Sequence, residues 1–113
     1  MIVTLKNHTM TARIDSIGAQ LISLKSKSGT EYIWQRDPAH WKSSSPLLFP
    51  TVGNCRDGKY TLNGQIYSIP KHGFCRNADF AVSVLSEQEA SFILTDSPET
   101  RAHYPFRFPL YFS

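Results

Sequence analysis

The amino-acid sequence predicts an all-β protein built from short antiparallel strands. Apolar and polar residues alternate in many runs of about four to seven residues, which suits strands and is too short for most helices. Gly, Asn and Ser residues separate these runs and favour turns. The pair Asn63-Gly64 lies between two alternating runs, the pattern most typical of a tight type I′ hairpin. Together these features predict a sandwich or barrel-like arrangement.

The first half of the chain is predicted to contain four strands. Each is a short run bounded by turn residues, and the first two form a hairpin across Asn7-His8. The predicted strands cover residues 2–6, 9–14, 21–24 and 31–34. Residues 36–45 are predicted to form a loop, and Pro46 and Pro50 bound an apolar extended segment that cannot be a central strand.

The second half continues the pattern of hairpins and adds one short helix. The predicted strands cover residues 59–62, 65–68, 78–85, 91–95 and 106–112. Ser97 is the expected N-cap of the helix, Pro98 its first residue and Pro105 the residue that stops it. The last alternating segment has no following partner strand, so an unpaired sheet edge capable of self-association is expected.

Composition excludes several classes of function. The net charge is only +3, and the twelve Lys and Arg residues never stand next to each other, so a nucleic-acid interface is not expected. No apolar run approaches the roughly 20 residues that span a bilayer, and no signal peptide is recognisable. The two cysteines, Cys55 and Cys75, have neither zinc-ligand spacing nor the number typical of a disulfide framework. These observations favour a reduced, cytoplasmic setting without a metal.

The segment from Pro70 to Arg76 is the strongest candidate for a functional site. It contains an imidazole at His72, a hinge residue at Gly73, an aromatic ring at Phe74 and a guanidinium at Arg76. A titratable group and a cation on a short loop between strands are typical of small-molecule sites. Considered alone, however, a His and an Arg on a loop are more often solvated surface residues.

Other segments around this loop carry a recognisable pattern. They are Leu47-Leu48-Phe49-Pro50, the Gly53 loop with Gly58-Lys59-Tyr60, and above all the run from Lys71 to Phe80 that contains His72-Gly73-Phe74. With these residues the chain resembles the aldose 1-epimerases, or galactose mutarotase-like proteins, and within them the LacX-like branch. Flanking similarities lie at Gly18-Ala19-Gln20-Leu21, Trp34, Trp41 and Tyr104-Pro105-Phe106.

The resemblance implies an antiparallel β-sandwich of the galactose mutarotase type. Because family members are longer, we expect residues 1–113 to form the N-terminal portion of a single such domain. The implied reaction interconverts the α and β anomers of a free hexose and uses no cofactor. A base removes the C1 hydroxyl proton while an acid protonates the ring oxygen, and closure of the opened ring from the other face gives the other anomer.

The resemblance also implies roles for particular residues. His72 matches the family histidine that lies in the sugar pocket and supports the acid side of the reaction. Arg76 is expected to bind sugar hydroxyls or brace the pocket; a structural ion pair with Asp79 is the equally weighted alternative. The loop position at which many relatives carry a sugar-binding Arg falls on Asn54, and Arg56 replaces it only if the loop is shifted.

The principal catalytic His and the catalytic Glu of the family belong to motifs that this sequence does not contain. The segment His103-Tyr104-Pro105-Phe106 has a similar composition but a different context, so His103 is not assigned the role. We therefore expect the 113-residue chain to be inactive as an epimerase. Asp96 and Glu99 are expected to be solvated, and Phe74, Trp34 and Trp41 to pack in the core rather than stack on a sugar.

Two other classes of function remain open. One is a non-catalytic carbohydrate-binding module that uses His72, Arg76 and a Trp. The other is a structural β domain that completes its sheet with a second copy of itself. Within the enzyme class, a hexose-6-phosphate substrate would require a denser cluster of cations than the sequence offers.

Overall fold

The computed structural model describes all residues from 1 to 113 and confirms a mainly antiparallel β architecture with one short helix. Two single 3₁₀ turns, at Arg56–Gly58 and Cys75–Asn77, precede β4 and β6. The regular elements are β1 (Ile2–Lys6), β2 (Met10–Asp15), β3 (Gln20–Ser26), β4 (Lys59–Leu62), β5 (Gln65–Ser68), β6 (Ala81–Ser86), β7 (Glu89–Thr95), α1 (Pro98–His103) and β8 (Pro109–Phe112).

The strands form three antiparallel sheets, in the orders β1-β2-β3, β4-β5 and β6-β7-β8. Each follows the chain, so every pairing is between neighbours in sequence. The predicted hairpin at Asn63-Gly64 is confirmed, because both residues have positive φ, as a type I′ turn requires. The β1–β2 turn is held by the side chain of Asn7, whose Oδ1 accepts from the backbone amides of Thr9 and Met10 at 2.9 and 2.8 Å.

The predicted fourth strand at residues 31–34 is wrong. Glu31 makes a single bridge to Lys25, and the chain then leaves the sheet. The carboxylate of Glu31 explains this, since it accepts from the Ser23 hydroxyl at 2.5 Å and from the amides of Leu24 and Ile33 at 2.8 and 3.0 Å. A side chain thus takes hydrogen bonds that a strand backbone would otherwise accept.

Two strands are shorter than the sequence predicted. Residues 78–80 precede β6 because they pair with the chain after β2 instead: Gly18 N donates to Ala78 O, and Phe80 N donates to Ser16 O. At the other end, residues 106–108 lie outside β8, which begins at Pro109. Proline fits there because it is the first residue of an edge strand.

The core is small and lies where the first and third sheets meet. It contains five buried apolar residues, with Val3 from β1 packing against β6–β7 and the chain before them. These residues are Val3, Cys75, Phe80, Ala90 and Phe92. Only 12 of 113 residues are buried, and the molecule measures 56 × 34 × 17 Å. The chain is therefore a broad, thin layer with a limited interior.

The helix α1 begins as predicted. The Ser97 hydroxyl accepts from Thr100 N at 3.2 Å, and Thr100 Oγ1 accepts from Ser97 N at 2.8 Å, which forms a capping box. Asp96, expected to be solvated, instead pairs with Arg101 and accepts from Phe108 N at 3.2 Å. Asp96 thereby ties the start of the helix to the segment that leads into β8.

The loop that carries His72 rests on the backbone of residues 46–50. The carbonyl oxygen of Phe49 accepts from Phe74 N at 3.0 Å and from Cys75 N at 3.3 Å. Gly73, with φ +73°, directly precedes these two residues, and a Cβ atom there would be 2.0 Å from the same oxygen. Only glycine allows the two backbones to approach so closely.

We predict that Gly73→Ala strongly destabilises the protein, whereas Gly64→Ala does so mildly. Both glycines have similar positive φ, but no atom lies within 4 Å of a Cβ at Gly64. Gly64→Ala should therefore cost about 1 kcal/mol of unfolding free energy for the left-handed backbone. Gly73→Ala should cost about 3 kcal/mol or more, because steric overlap is added. Urea denaturation measures both, and equal losses would contradict the contact with Phe49.

We also predict a pH-dependent contribution from Asp96. Burial raises its pKa, but the Arg101 guanidinium and the Phe108 amide outweigh burial and hold the pKa below the ordinary 3.8. A lowered folded-state pKa means that the stabilisation is present above about pH 4 and is lost as the pH falls below that value.

The variant Asp96→Asn tests this contribution. It should melt at a lower temperature than the wild type at pH 6, and the difference should shrink as the pH is lowered through about 4 towards 3. Asp57→Asn is the matched control, because Asp57 is exposed and forms no ion pair. A difference between Asp96→Asn and wild type that does not vary with pH would contradict the ion pair.

Candidate functional site

His72 lies on the tight turn between the β4–β5 hairpin and the core. Its φ is +65°, a left-handed conformation uncommon for residues other than glycine, and its side chain is half-buried. Gly73 N donates to Pro70 O at 2.9 Å and closes the turn. The amides of Phe74 and Cys75, which follow, donate to Phe49 O. Backbone hydrogen bonds therefore hold the chain on both sides of His72.

Two hydrogen bonds join His72 to Gly53. His72 N donates to Gly53 O at 2.9 Å, and Gly53 N donates to Nδ1 of the imidazole at 2.8 Å. A ring nitrogen that accepts from a backbone amide carries no proton, so the neutral ring carries its proton on Nε2. The fold thus presents the Nε2–H of His72 as a hydrogen-bond donor. The sequence indicated the histidine but not its partner, which lies 19 residues away along the chain.

The two predicted loop residues lie in the segment that follows Gly53. Asn54 and Arg56 are both exposed, and Arg56 begins a 3₁₀ turn. Because Gly53 is bonded to His72, the Gly53 loop and the imidazole are neighbours. Along the chain, Asn54 is one residue from the Gly53 contact, whereas Arg56 is three residues away.

Arg76 is half-buried in the second 3₁₀ turn, and it does not pair with Asp79 as one interpretation held. Asp79 Oδ1 instead accepts from the buried Ser16 hydroxyl at 2.7 Å. The two ion pairs of the chain are Arg36–Asp15 and Arg101–Asp96. The Nε atom of Arg76 is buried without a hydrogen-bond partner, although guanidinium groups normally satisfy their donors when buried.

Phe74 packs as the sequence predicted. Its ring contacts Phe49 edge-on, with centroids 6.1 Å apart, and stacks on Phe108 at 6.1 Å. Tyr104 joins the same aromatic cluster through Phe49 at 5.5 Å. The cluster fills the space between the His72 loop and the end of the chain, so Phe74 supports the loop.

The expectation that Trp34 and Trp41 pack in the core is wrong. The two residues are 43% and 51% exposed, and Trp34 Nε1 donates to Trp41 O at 2.6 Å. They belong to the loop that leaves β3 where the fourth strand was expected. Both rings present aromatic surface on that loop.

The largest cleft of the molecule lies between residues 74–78 and α1. It has a volume of about 370 Å³ and is lined by Phe74, Asn77, Leu94, Glu99 and His103, among others, but by none of the predicted site residues. The cleft was not predicted, although Glu99 and His103 are four residues apart on a predicted helix and therefore share a face.

The remaining features limit the chemistry that the chain itself offers. No group of three or more His, Cys, Asp or Glu side chains is arranged to hold a metal ion. None of its helices has the length and apolar character needed to cross a membrane. Cys75 is fully buried, and burial raises the pKa of its thiol to about 11, whereas Cys55 is partly exposed in the Gly53 loop.

Comparison with known proteins links this geometry to a family. The family model for aldose 1-epimerase matches residues 1–112. Among curated proteins, the plasmid-encoded protein LacX of Lactococcus lactis subsp. lactis is 33% identical over 115 residues. That match covers 97% of this chain and 38% of LacX, so the chain spans well under half the length of the curated relatives that it matches.

Solved structures agree with the family match. The galactose mutarotase related enzyme from Lactobacillus acidophilus superposes with a TM-score of 0.95 at 38% identity, over 98% of this chain and 37% of that one. A galactose mutarotase-like protein from Lactobacillus casei also gives 0.95, at 34% identity, over 98% of this chain and 38% of the other. With its all-β fold and the His72 loop, the chain belongs to the aldose 1-epimerase family.

Proposed function

We propose that residues 1–113 form the N-terminal portion of an aldose 1-epimerase domain and supply one wall of its sugar site. The observation that carries this proposal is the hydrogen bond from Gly53 N to His72 Nδ1, which leaves Nε2–H as a fixed donor. Family membership supports a free hexose as the ligand. A donor of this kind matches the oxygen-rich surface of a sugar.

The reaction explains what the donor would do. Opening the ring requires a proton on the ring oxygen as the C1–O5 bond breaks, while a base takes the C1 hydroxyl proton. His72 Nε2–H would donate to the ring oxygen or to a neighbouring hydroxyl, and so stabilise negative charge as it develops there. The ring closes from the other face and returns both protons, so the chemistry balances without a cofactor.

The neighbouring side chains would hold the sugar. Asn54, one residue beyond the Gly53 contact, offers an amide that both donates and accepts. Arg76, with its unpaired buried Nε, would brace the pocket or bind a hydroxyl, and Arg56 would reach the sugar only if its loop moves. The full proton-transfer pair is expected on family motifs outside these 113 residues, so we propose that the chain binds hexose without catalysing its epimerisation.

We predict that D-galactose or D-glucose perturbs the amide resonances of Gly53, Asn54 and His72 in a nuclear magnetic resonance titration. His72→Ala should abolish these shifts, because it removes the donor. His8→Ala is the matched control, since His8 is exposed in the β1–β2 turn and should leave them unchanged. Polarimetry of anomer equilibration should show no acceleration by the chain.

A chimera tests the catalytic part of the proposal. Residues 1–113 would replace the matched 37% of the Lactobacillus acidophilus protein, and polarimetry would compare the chimera with that parent. If the parent is active, the chimera should catalyse equilibration, and His72→Ala should slow it roughly 10²–10⁴-fold. Unchanged catalysis in the His72→Ala chimera would contradict the role of His72, and acceleration by the chain alone would contradict its inactivity.

The same experiments separate the enzyme from a carbohydrate-binding module. Sugar binding by a folded chimera that lacks the turnover of its parent would favour the non-catalytic alternative.

The cytoplasmic location stays a prediction, supported by two free thiols. Self-association also stays a prediction: β6 and β8 are sheet edges, and Val84 and Tyr111 on them are 60% and 63% exposed. A concentration-independent monomer in light scattering would count against self-association.

A further inference from the structure

The cleft between the His72 loop and α1 has a defined chemical character. Its apolar wall is formed by Phe74 and Leu94, which pack against the core. Its polar side carries the amide of Asn77, the carboxylate of Glu99 and the imidazole of His103. The volume of about 370 Å³ lies within the range of small-molecule sites and would accommodate a single sugar-sized ring.

The hydrogen-bonding role of His103 is fixed by its neighbour. Its Nδ1 lies 2.7 Å from the carbonyl oxygen of Ser68. A carbonyl can only accept, so Nδ1 is the donor and Nε2 of the neutral ring carries a free lone pair. This tautomer is the opposite of the one at His72, and it gives His103, one of the residues that line the cleft, an acceptor atom.

The other polar groups are also assigned by the structure. Ser97 and Thr100 line the cleft, but their hydroxyls are engaged in the capping box. The Ser97 hydroxyl lowers the pKa of Glu99, and the nearby Arg101 contributes, so Glu99 is an ionised acceptor at neutral pH. Asn77 is exposed, and its amide is free to donate and accept.

These groups select the charge and shape of a ligand. Two acceptors, Glu99 and His103 Nε2, require a ligand that presents donors. The Glu99 carboxylate disfavours an anionic ligand. A neutral, hydroxyl-rich molecule satisfies these conditions, and a ring with one face of C–H bonds would also pack on Phe74 and Leu94.

We propose that this cleft is a second binding site, distinct from the His72 site, that takes a small neutral cyclic polyol. Asn77, Glu99 and His103 bind its hydroxyls, and Phe74 receives its apolar face. The proposal does not rest on the epimerase function. Because Phe74 lines the cleft and lies two residues after His72, a ligand in the cleft contacts the segment that directly follows the His72 turn.

The experiment is a titration of the ¹⁵N-labelled 113-residue chain with myo-inositol and, separately, with D-galactose. We expect the side-chain amide of Asn77 and the backbone amides near Glu99 and His103 to shift. Glu99→Gln should weaken the affinity at least about tenfold, because it removes a charged acceptor while preserving shape. Glu87→Gln, on the exposed β6–β7 turn, is the matched control and should leave the affinity unchanged.

His72→Ala separates this site from the proposed hexose site. If the cleft is an independent site, its shifts persist in His72→Ala while those at Gly53 and Asn54 disappear. Cleft shifts that disappear in His72→Ala, or equal affinities of Glu99→Gln and wild type, would overturn the proposal. So would the absence of shifts at Asn77 and His103 up to the solubility limit of both ligands in a chain whose spectrum is that of a folded protein.

Discussion

The structure depends on the close approach of two backbones at Gly73. There the carbonyl oxygen of Phe49 accepts hydrogen bonds from the amides of the two residues that follow Gly73. No side chain at position 73 fits between the two backbone segments. This contact joins the segment 46–50 to the loop that precedes β6, and the aromatic cluster around Phe74 covers it. Because the core is small, the backbone contact between Phe49 and the residues after Gly73 is a main source of order in the His72 loop.

The same constraint positions the residues that precede and follow Gly73 in the chain. Before Gly73 in the chain, His72 is held against Gly53 with its proton on Nε2. After Gly73, Asn77 lines one cleft together with Glu99 and His103 of α1. One histidine is therefore set as a donor and the other as an acceptor, each by a single backbone group. The proposed hexose wall and the proposed polyol cleft both follow from these assignments.

Sequence patterns predicted most of the local structure, because turns and caps are specified by neighbouring residues. The hairpin turn forms at Asn63-Gly64, where both residues have positive φ. Ser97 caps the helix that begins at Pro98. The errors arose where distant residues compete: the Glu31 carboxylate replaces strand pairing at residues 31–34, and Ser16–Gly18 pair with residues 78–80. The exposure of Trp34 and Trp41 also depends on that loop. His72 could be predicted as a site residue, but its partner Gly53 could not, since nothing local to either specifies the contact.

The tautomer of His72 tests the account most directly. In a ¹⁵N-labelled sample at a pH of about 8, where imidazoles are neutral, long-range ¹H–¹⁵N spectra distinguish a protonated ring nitrogen from an unprotonated one. We predict from the contacts with Gly53 and Ser68 that His72 carries its proton on Nε2 and His103 on Nδ1. A proton on Nδ1 of His72, or a mixture of tautomers such as a free imidazole shows, would contradict the claim that the Gly53 contact fixes this side chain.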